Sequence, residues 1–402
     1  MNENINIKSF KEKYLKLYKD ELFNYCIPFW LKHGIDKEYG GLLNCLDRKG
    51  EVYSTDKSVW MQGRCAWMFS YLSNTFGENQ EYLDFSKSCL DFLDKYCFDS
   101  DGRMYFLVTR DGKPLRKRRY FFSETFYVMA AIEYYKATNN KEYLDKARKI
   151  YDLVYNIFTD PSADPYKITP KFYNETRSMK GLAGPMIILN INYIMRSIDI
   201  DRIDLYNEHS KVCLDEIKKH YNKEYHGMFE NITSDNKFIL DVSTERIINP
   251  GHDLECSFFL AQEALYNHDN ELFDFSLMVF RDAINWGWDQ EYGGIKYFVD
   301  AKGYPVEAYE HDMKLWWTHN EGINASLLMY KETLDKYYLD WFIKLTDYAF
   351  SHFSDHEYGE WYGYLRRDGV PTMPPCKGHT YKGPFHVMRS LATVIKLLES
   401  ME

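Results

Sequence analysis

One short motif recurs along the chain at nearly constant intervals, and this repeat constrains the fold more than any other feature of the sequence. Four copies begin with Asp or Asn and carry Tyr at the fourth position: Asp36–Gly41, Asn222–Gly227, Asp289–Gly294 and Asp355–Glu360. The second and third copies are 67 residues apart, the third and fourth 66, and the first and second 186, which is three intervals of 62. A less similar copy lies at Phe98–Arg103, and a degenerate one is expected around residues 160–173. The sequence therefore predicts six structural units.

Each unit is expected to combine a β-hairpin with two helices. Two short alternating segments separated by a polar turn follow the motif, as in Leu42–Tyr53, and this is the pattern of a hairpin. Between the hairpins, apolar residues recur at spacings of three and four, which indicates helices. Highly charged helices are predicted before the hairpins, at about residues 7–33, 80–97, 141–158, 202–221, 271–286 and 334–353. More apolar helices are predicted after them, at about residues 57–76, 121–138, 179–197, 250–268, 313–330 and 383–400.

These helices are expected to form an outer and an inner layer, because charged helices face solvent and apolar helices are buried. The predicted fold class is all-α, an (α/α)6 barrel of six helical hairpin repeats with short β-hairpins at one mouth. An open superhelix is the alternative, but neither end of the chain carries a polar capping repeat, which favours closure. Because no Pro/Gly/Ser-rich linker interrupts the sequence, residues 1–402 are expected to form one domain.

Charge and cysteine content exclude several classes of partner. The net charge of -10 and the pI near 5.7, without a long Lys/Arg block, argue against nucleic acid or an anionic membrane surface as a partner. The basic run Arg116–Arg119 is interpreted as a solvated loop. The eight cysteines are scattered without a Cys-x-x-Cys pair, so neither a disulfide framework nor a zinc site is expected. With no signal-peptide pattern and no long apolar stretch, a cytoplasmic location is expected.

The segment Asn249–Glu255 has the pattern of a helix start that carries catalytic groups. Asn249 is a suitable cap, and Pro250 suits the first turn. His252 and Glu255, three residues apart, share one helix face. The helix dipole favours neutral imidazole while a nearby carboxylate favours imidazolium, and such opposed influences suit proton transfer near neutral pH. Taken alone, the segment could equally be a capped helix whose histidine only satisfies a buried carbonyl.

Other inner helices carry comparable groups near their starts. Five of the six predicted inner helices place an ionisable side chain within their first two turns. Individually these side chains could be ion pairs, caps or core residues, but together they predict a pocket at one mouth of the barrel. Carboxylates, histidines and arginines beside Trp and Tyr suit a sugar, so a small-molecule sugar substrate is expected. The candidate residues are Arg64, Glu124, His252, Glu255, Trp316, His319, Glu321, His386 and Arg389.

Two reaction classes fit these residues. In the first, two carboxylates among Glu124, Glu255 and Glu321 hydrolyse a glycosidic bond as acid and as base or nucleophile. In the second, His252 and His386 face each other across the cavity, because one inner helix separates theirs. They would remove and return a proton on a carbon next to an aldehyde, which permits inversion at that carbon.

Five motifs in order resemble the N-acylglucosamine 2-epimerase family, also known as renin-binding protein, from about Phe29 to about Arg389. The resemblance implies an (α/α)6 barrel that interconverts N-acetylglucosamine and N-acetylmannosamine without a metal or a required cofactor. ATP is a possible activator that is not consumed, although the sequence has no Gly-x-x-x-x-Gly-Lys-Ser/Thr loop. A homodimer is also implied. The motifs are Trp60–Arg64, Asn249–Glu255, Lys314–Glu321, Glu357–Leu365 and Phe385–Arg389.

The same resemblance implies roles for individual residues. His252 and His386 would be the catalytic acid/base pair, with Glu255 orienting His252. By the same pattern Arg64, Glu321 and Arg389 would bind substrate and support ring opening. The predicted pocket adds Glu124, Trp316 and His319 as substrate-binding residues. Cellobiose 2-epimerase and mannose isomerase, which act on unmodified sugars, have similar barrels and remain the alternative. They tend to carry a histidine on the sixth helix, where this chain has Gly184–Asn190, and this favours the acylglucosamine branch.

Overall fold

The computed structural model describes residues 7–117, 120–164 and 173–401. A π-helical turn, Glu21–Cys26, joins the first two helices and ends two residues before Pro28, whose ring does not fit an uninterrupted α-helix. The α-helices are α1 (Ile7–Asp20), α2 (Ile27–His33), α3 (Val59–Phe76), α4 (Gln80–Tyr96), α5 (Phe122–Thr138), α6 (Lys141–Thr159), α7 (Asn174–Arg177), α8 (Ala183–Ile198), α9 (Ile203–Lys219), α10 (Pro250–Asn267), α11 (Asn270–Gly287), α12 (Trp316–Thr333), α13 (Lys336–His352) and α14 (His386–Ser400).

The helices form two layers, as predicted. In α12 every residue from Trp316 to Tyr330 is buried, whereas α13 buries one face only. This difference between a helix buried on all sides and a helix buried on one face separates the inner from the outer layer. The inner helices α3, α5, α8, α10, α12 and α14 each contact the next, and α14 contacts α3. The inner ring is therefore closed, and the predicted (α/α)6 barrel is confirmed.

Short strands connect neighbouring units at the mouth where the inner helices begin. The strand before an inner helix pairs with a strand of the next unit: β3 with β4, β6 with β9, β10 with β11, and β12 with β13, all antiparallel. The strands are β1 (Cys45–Leu46), β2 (Val52–Ser54), β3 (Lys57–Ser58), β4 (Leu107–Val108), β5 (Pro114–Arg116), β6 (Met179–Gly181), β7 (Tyr221–Asn222), β8 (Gly227–Met228), β9 (Asn231–Thr233), β10 (Ile247–Ile248), β11 (Val299–Asp300), β12 (Lys314–Leu315) and β13 (Tyr364–Leu365).

Four predicted helix starts are wrong, and strand pairing explains three of them. Helices were expected from residues 57, 179, 313 and 383, but α3, α8, α12 and α14 begin two to four residues later. In three of these units the first residues instead form β3, β6 or β12. Their partners lie about 50 residues further along the chain, so a non-local contact overrides the local helical pattern.

The Asp of the repeated motif has the same structural role in three units. Asp36 Oδ1 accepts hydrogen bonds from the backbone N–H groups two and three residues later, which shapes the turn. Its carboxylate also binds the fully buried Lys57, at 2.8 Å. Asp289 binds Lys314 at 2.9 Å, and Asp355 binds Lys377 at 3.0 Å. Each turn thus neutralises a lysine that could not otherwise be buried.

An arginine from the following hairpin completes each of these clusters. Arg110 binds Asp36, and Arg367 binds Asp289. The third such arginine, Arg48, belongs to the first unit and binds Asp355 of the last unit at 2.8 Å. Backbone hydrogen bonds between Leu46 and Gly378 join the same two units. The ends of the chain therefore close the ring through the same contacts that join neighbouring units.

Two predicted segments lie partly outside the described residues. The degenerate motif copy includes residues 165–172, and the basic run includes Arg118 and Arg119. Within the described part of the degenerate copy, Asp160 Oδ1 accepts a hydrogen bond from Ser162 N at 3.0 Å, as the other motif aspartates do two residues on. Among the helices of the described ranges, none has the length and apolar character needed to cross a bilayer.

Candidate active site

The first turn of α10 brings His252 to the mouth of the barrel. Asn249 caps the helix, with its Oδ1 accepting from His252 N at 3.2 Å, and Pro250 occupies the first turn. A Cβ on Gly251 would lie 2.5 Å from the Thr318 methyl carbon and 2.7 Å from the Trp317 ring. Glycine at this position therefore allows the starts of α10 and α12 to approach each other.

The carboxylate that holds His252 is Glu230, not Glu255, so the expected orienting role of Glu255 is corrected. Glu230 lies between β8 and β9, and its Oε2 accepts a hydrogen bond from His252 Nδ1 at 2.8 Å. Burial disfavours the imidazolium, but the charge and hydrogen bond of Glu230, with the charges of Glu255 and Asp253, outweigh it and raise the pKa of His252 to about 9. His252 is therefore charged at neutral pH, with Nε2–H as its second donor.

His386 forms a second histidine–carboxylate pair, at the start of α14. Its Nδ1 donates to Glu321 Oε1 on α12 at 2.8 Å, and the same oxygen accepts from Arg389 Nη2. Burial, aided by the charges of Arg64 and Arg389 and opposed by Glu321, lowers the pKa of His386 to about 3. His386 is therefore neutral, and its Nε2 carries a free lone pair.

Glu255 lies beside this second pair. Its Oε1 is 3.6 Å from Arg389 Nη2. Burial and the charge of Glu321, opposed by Arg389 and His252, raise the pKa of Glu255 to about 7. Ligand-type atoms of Glu255, Glu321 and His386 lie within 4.8 Å of one another, as in a cation site. However, Arg389 already supplies a positive charge to both carboxylates.

Arg64, on α3, presents a guanidinium held by aromatic rings. Its Cζ lies 4.2 Å from the centre of the Phe126 ring and 4.7 Å from that of Phe385. Burial, opposed by Glu255, lowers the pKa of Arg64 to about 9, which leaves it charged at neutral pH. Its Nε is buried without a hydrogen-bond partner among the described residues. An arginine in this state is suited to bind a ligand oxygen.

Trp317 lies between the two histidines. Its ring centre is 5.3 Å from that of His252 and 5.9 Å from that of His386. Trp316, the tryptophan expected to bind substrate, is 3% exposed and packs edge-on against Tyr364, with its ring centre 6.5 Å from that of His386. The structure therefore places Trp317, the neighbour of the predicted residue, between the candidate catalytic groups.

Two predicted substrate-binding residues have structural roles instead. His319 is fully buried, with Nε2 accepting from Ile295 N at 2.9 Å and Nδ1 donating to Leu315 O at 2.7 Å. Glu124 is also fully buried, and its Oε1 accepts from Arg103 Nε at 2.7 Å and from Met104 N at 2.8 Å. Both fasten inner helices to neighbouring backbone, so their predicted contact with substrate is corrected.

The structure brings six of the predicted residues together: His252, His386, Glu255, Glu321, Arg64 and Arg389. Two residues of the site, Glu230 and Trp317, were not predicted from the sequence. Trp317 is four residues before Glu321, so helical spacing places the two on one face and could have identified it. Glu230 is 22 residues before His252, in a hairpin, and no local spacing could have revealed it.

The fold and site define an (α/α)6-barrel enzyme with two histidine–carboxylate pairs at one mouth. The chain belongs to the N-acylglucosamine 2-epimerase family, whose sequence model matches residues 40–388. It is 35% identical to the N-acylglucosamine 2-epimerase of Rattus norvegicus over 93% of this chain and 90% of that protein. It is 25% identical to the cellobiose 2-epimerase of Dictyoglomus turgidum over 95% and 99%. These matches confirm the family that the motifs predicted.

Solved structures show the same fold. A cellobiose 2-epimerase from Bacillus thermoamylovorans superposes with a TM-score of 0.82 at 22% identity, covering 96% of this chain and 99% of that one. A D-mannose isomerase superposes with a TM-score of 0.81 at 19% identity, covering 98% and 100%. The barrel is thus shared among proteins with different sugar substrates, and it does not by itself identify the substrate.

Proposed function

We propose that the protein interconverts N-acetylglucosamine and N-acetylmannosamine by removing and returning the proton at C2 of the ring-opened sugar. The observation that carries this proposal is the pair of histidines beside Trp317, each hydrogen-bonded through Nδ1 to a carboxylate. Their surroundings raise the pKa of His252 and lower that of His386. Two groups whose pKa values are moved in opposite directions are suited to act as acid and base in one reaction. The 35% identity to the rat enzyme, over most of both chains, supports the choice of sugar.

The chemistry requires a base, an acid and charge stabilisation. His386 Nε2 takes the proton from C2, and the electrons move onto O1 of the aldehyde. Arg64 and Arg389 stabilise the resulting enolate oxygen, because fixed positive charges in a site with little water act strongly on developing negative charge. His252 Nε2–H then protonates C2 from the opposite face, which inverts the carbon. General acid and base assistance of this kind contributes about 10²- to 10⁴-fold.

Opening of the sugar ring needs a group that both gives and takes a proton. Glu255 is suited to this step because its pKa, about 7, lies near neutral pH. Glu255 lies next to Arg389 and to the Glu321–His386 pair. In one bound sugar, Glu255 can therefore act on the ring oxygen while His386 acts on C2.

Glycoside hydrolysis, the other reaction class, lacks its pair of carboxylates. Glu124 is fully buried and bound to Arg103. Glu321 is held by both His386 and Arg389. Of these three candidate carboxylates, this leaves Glu255 as the one that can act as acid or base. Hydrolysis requires two such groups on opposite sides of the glycosidic bond.

Several properties of the enzyme follow from the family resemblance and are part of the proposal. No cofactor is required, and ATP acts at most as an activator that is not consumed. The protein is a cytoplasmic homodimer whose ligand is a small sugar. The alternative substrate class is mannose or a β-1,4-linked disaccharide, as the named cellobiose 2-epimerase and D-mannose isomerase relatives suggest.

A panel of sugars in deuterated water tests this function. Incubation with N-acetylmannosamine, with and without ATP, is expected to give N-acetylglucosamine labelled at C2. Mannose and cellobiose in parallel incubations are expected to give much less product. Turnover of the unmodified sugars alone would favour the alternative substrate class, and turnover of no sugar would refute the epimerase function.

A further inference from the structure

Glu230 is held in place by its backbone, independently of its side chain. Its N–H donates to Ile247 O at 2.9 Å, and its carbonyl accepts from Leu182 N at 2.9 Å. These bonds tie it to the segments that lead into α10 and α8. The side chain is 21% exposed and reaches the Nδ1 of His252 on the first turn of α10. The backbone hydrogen bonds therefore fix the position from which the Glu230 carboxylate reaches the histidine.

The two histidine–carboxylate pairs have the same hydrogen bond but different electrostatic surroundings. The charge of Glu321 is shared with Arg389, and Arg64 and Arg389 both act against a proton on His386. On His252, the largest charge effects come from Glu230, Glu255 and Asp253, and all of them favour the imidazolium. The hydrogen bond alone thus does not decide which histidine is charged, whereas the nearby charges do.

Two ionisable groups of the described residues lie near the pair on neighbouring elements, His220 and Lys180. His220, at the end of α9, feels the charge of Glu230, but burial lowers its pKa to about 4, so it is neutral at pH 7. Lys180 of β6 is bound to Glu216 at 2.5 Å. From α12 the ring contact of His252 is the uncharged Trp317, which also contacts the neutral His386 of α14.

Burial makes Asp253 a weak source of negative charge, because it favours the protonated carboxyl. Asp253 is 1% exposed, and its burial and the charge of Glu230 raise its pKa well above the ordinary value. Glu255 is half neutral near pH 7. Glu230, which makes the direct hydrogen bond, is therefore the main source of negative charge at His252.

We infer that Glu230 is a positioning residue that keeps His252 in the state of proton donor, so that the two histidines begin each turnover in opposite protonation states. This inference rests on the proposed function. In the forward step the Nε2 proton of His252 passes to C2 and the C2 proton passes to His386 Nε2. Exchange with water then returns the proton to His252 and removes it from His386, with Glu230 unchanged throughout.

Glu230→Gln tests the role of the charge, because the amide oxygen still accepts from Nδ1 and the backbone frame is retained. Glu224→Gln, an exposed carboxylate on the same hairpin, is the matched control. Two quantities are measured: the titration of the His252 ring by NMR of ¹³C-histidine-labelled protein, assigned with His252→Gln, and the pH profile of kcat for N-acetylmannosamine. The thermal midpoint of each variant checks that it is folded.

In Glu230→Gln, the His252 titration and the alkaline limb of kcat are both expected to move to lower pH, by at least about one unit. At pH 8 kcat is expected to fall at least about twofold, with recovery toward the wild-type value near pH 6 and KM within about threefold of the wild-type value. Glu224→Gln should match the wild type throughout. An unshifted His252 titration, or a shifted titration with an unmoved kcat profile, would overturn the role of Glu230. Absence of sugar turnover by the wild type would count against the proposed function instead, and the NMR titration would still decide whether Glu230 holds the charge on His252.

Discussion

His386 on α14 donates its Nδ1 proton to Glu321 on α12, at 2.8 Å, across the contact between two neighbouring inner helices. The bond fixes the tautomer of the imidazole, since a carboxylate can only accept, and it leaves Nε2 as the base. Arg389 binds the same carboxylate oxygen and limits how strongly Glu321 can draw a second proton onto the ring. The reactivity of His386 is therefore set by residues of two helices.

Replacing His386 with Asn is expected to lower kcat by about 10²- to 10⁴-fold, because the base is lost while an amide can still donate to Glu321. The thermal midpoint should change little, since the hydrogen bond to Glu321 is kept. Steady-state kinetics and thermal melts on the same preparation measure both quantities. A variant with wild-type kcat would exclude His386 as the base.

His319→Asn is the contrasting variant, because the two shortest hydrogen bonds of His319 are to backbone groups. Removing the ring leaves the Ile295 N–H without its partner in the interior, whereas the Leu315 carbonyl keeps the Thr318 hydroxyl. A buried group left unsatisfied costs about 1–3 kcal/mol, so the free energy of unfolding is expected to fall by about that amount. Urea unfolding measures this loss, and kcat of the folded fraction should stay near the wild-type value. A large loss of kcat without destabilisation would restore a catalytic role for His319.

The His252–Glu230 pair is expected to make stability depend on alkaline pH. The pKa of His252 is about 9 in the folded protein and about 6.5 in the unfolded chain, so the folded state binds the extra proton between these values. The resulting stabilisation is complete below pH 6.5 and is lost as the pH rises through about 9. Urea unfolding of the wild type and of His252→Gln at pH 6 and pH 10 measures it. The difference between the two proteins should be smaller at pH 10; a difference that grows with pH would contradict the raised pKa.

Asp355 is expected to contribute strongly to closure of the ring. Asp355→Asn would remove the charge that balances the fully buried Lys377 and would weaken the contact with Arg48 of the first unit. Breaking one partner of a buried pair costs about 3–5 kcal/mol. Chemical unfolding measures this effect. Asp368→Asn is the control, because it removes the charge of an exposed pair with Arg366 while the amide oxygen can still accept from Val370 N, and it should cost no more than about 1 kcal/mol. Equal losses in the two variants would refute this role of Asp355.

The repeat made most of the fold predictable from the sequence. Helical spacing and a period of 62–67 residues identified both layers and the closed ring, because each unit carries the same local signals. The starts of α3, α8, α12 and α14 were predicted too early. Those residues either pair with a strand of the next unit or form loop, and neither outcome is encoded in helical periodicity.

The site was predictable where its residues share a helix turn. Arg64, Glu255, Glu321, His386 and Arg389 all lie within two turns of an inner helix start, and they meet because those helices converge. Position alone could not separate these residues from Glu124 or His319, which occupy equivalent turns but face neighbouring backbone. Glu230 could not be found at all, since only the folded hairpin brings it to His252.

The central claim, that two histidines act on opposite faces of C2, is tested most directly by deuterium exchange in the single variants His252→Asn and His386→Asn. Each variant is incubated near pH 9, where about half of His252 is neutral and can act as a base. The incubations use deuterated water with N-acetylglucosamine and, separately, with N-acetylmannosamine, and C2 labelling is followed by NMR. Each is expected to lose epimerisation and to exchange the C2 proton of one epimer only, with the two variants labelling opposite epimers. If either variant still interconverts the epimers, or labels both of them at equal rates, a single base serves both faces and the two-histidine account is wrong.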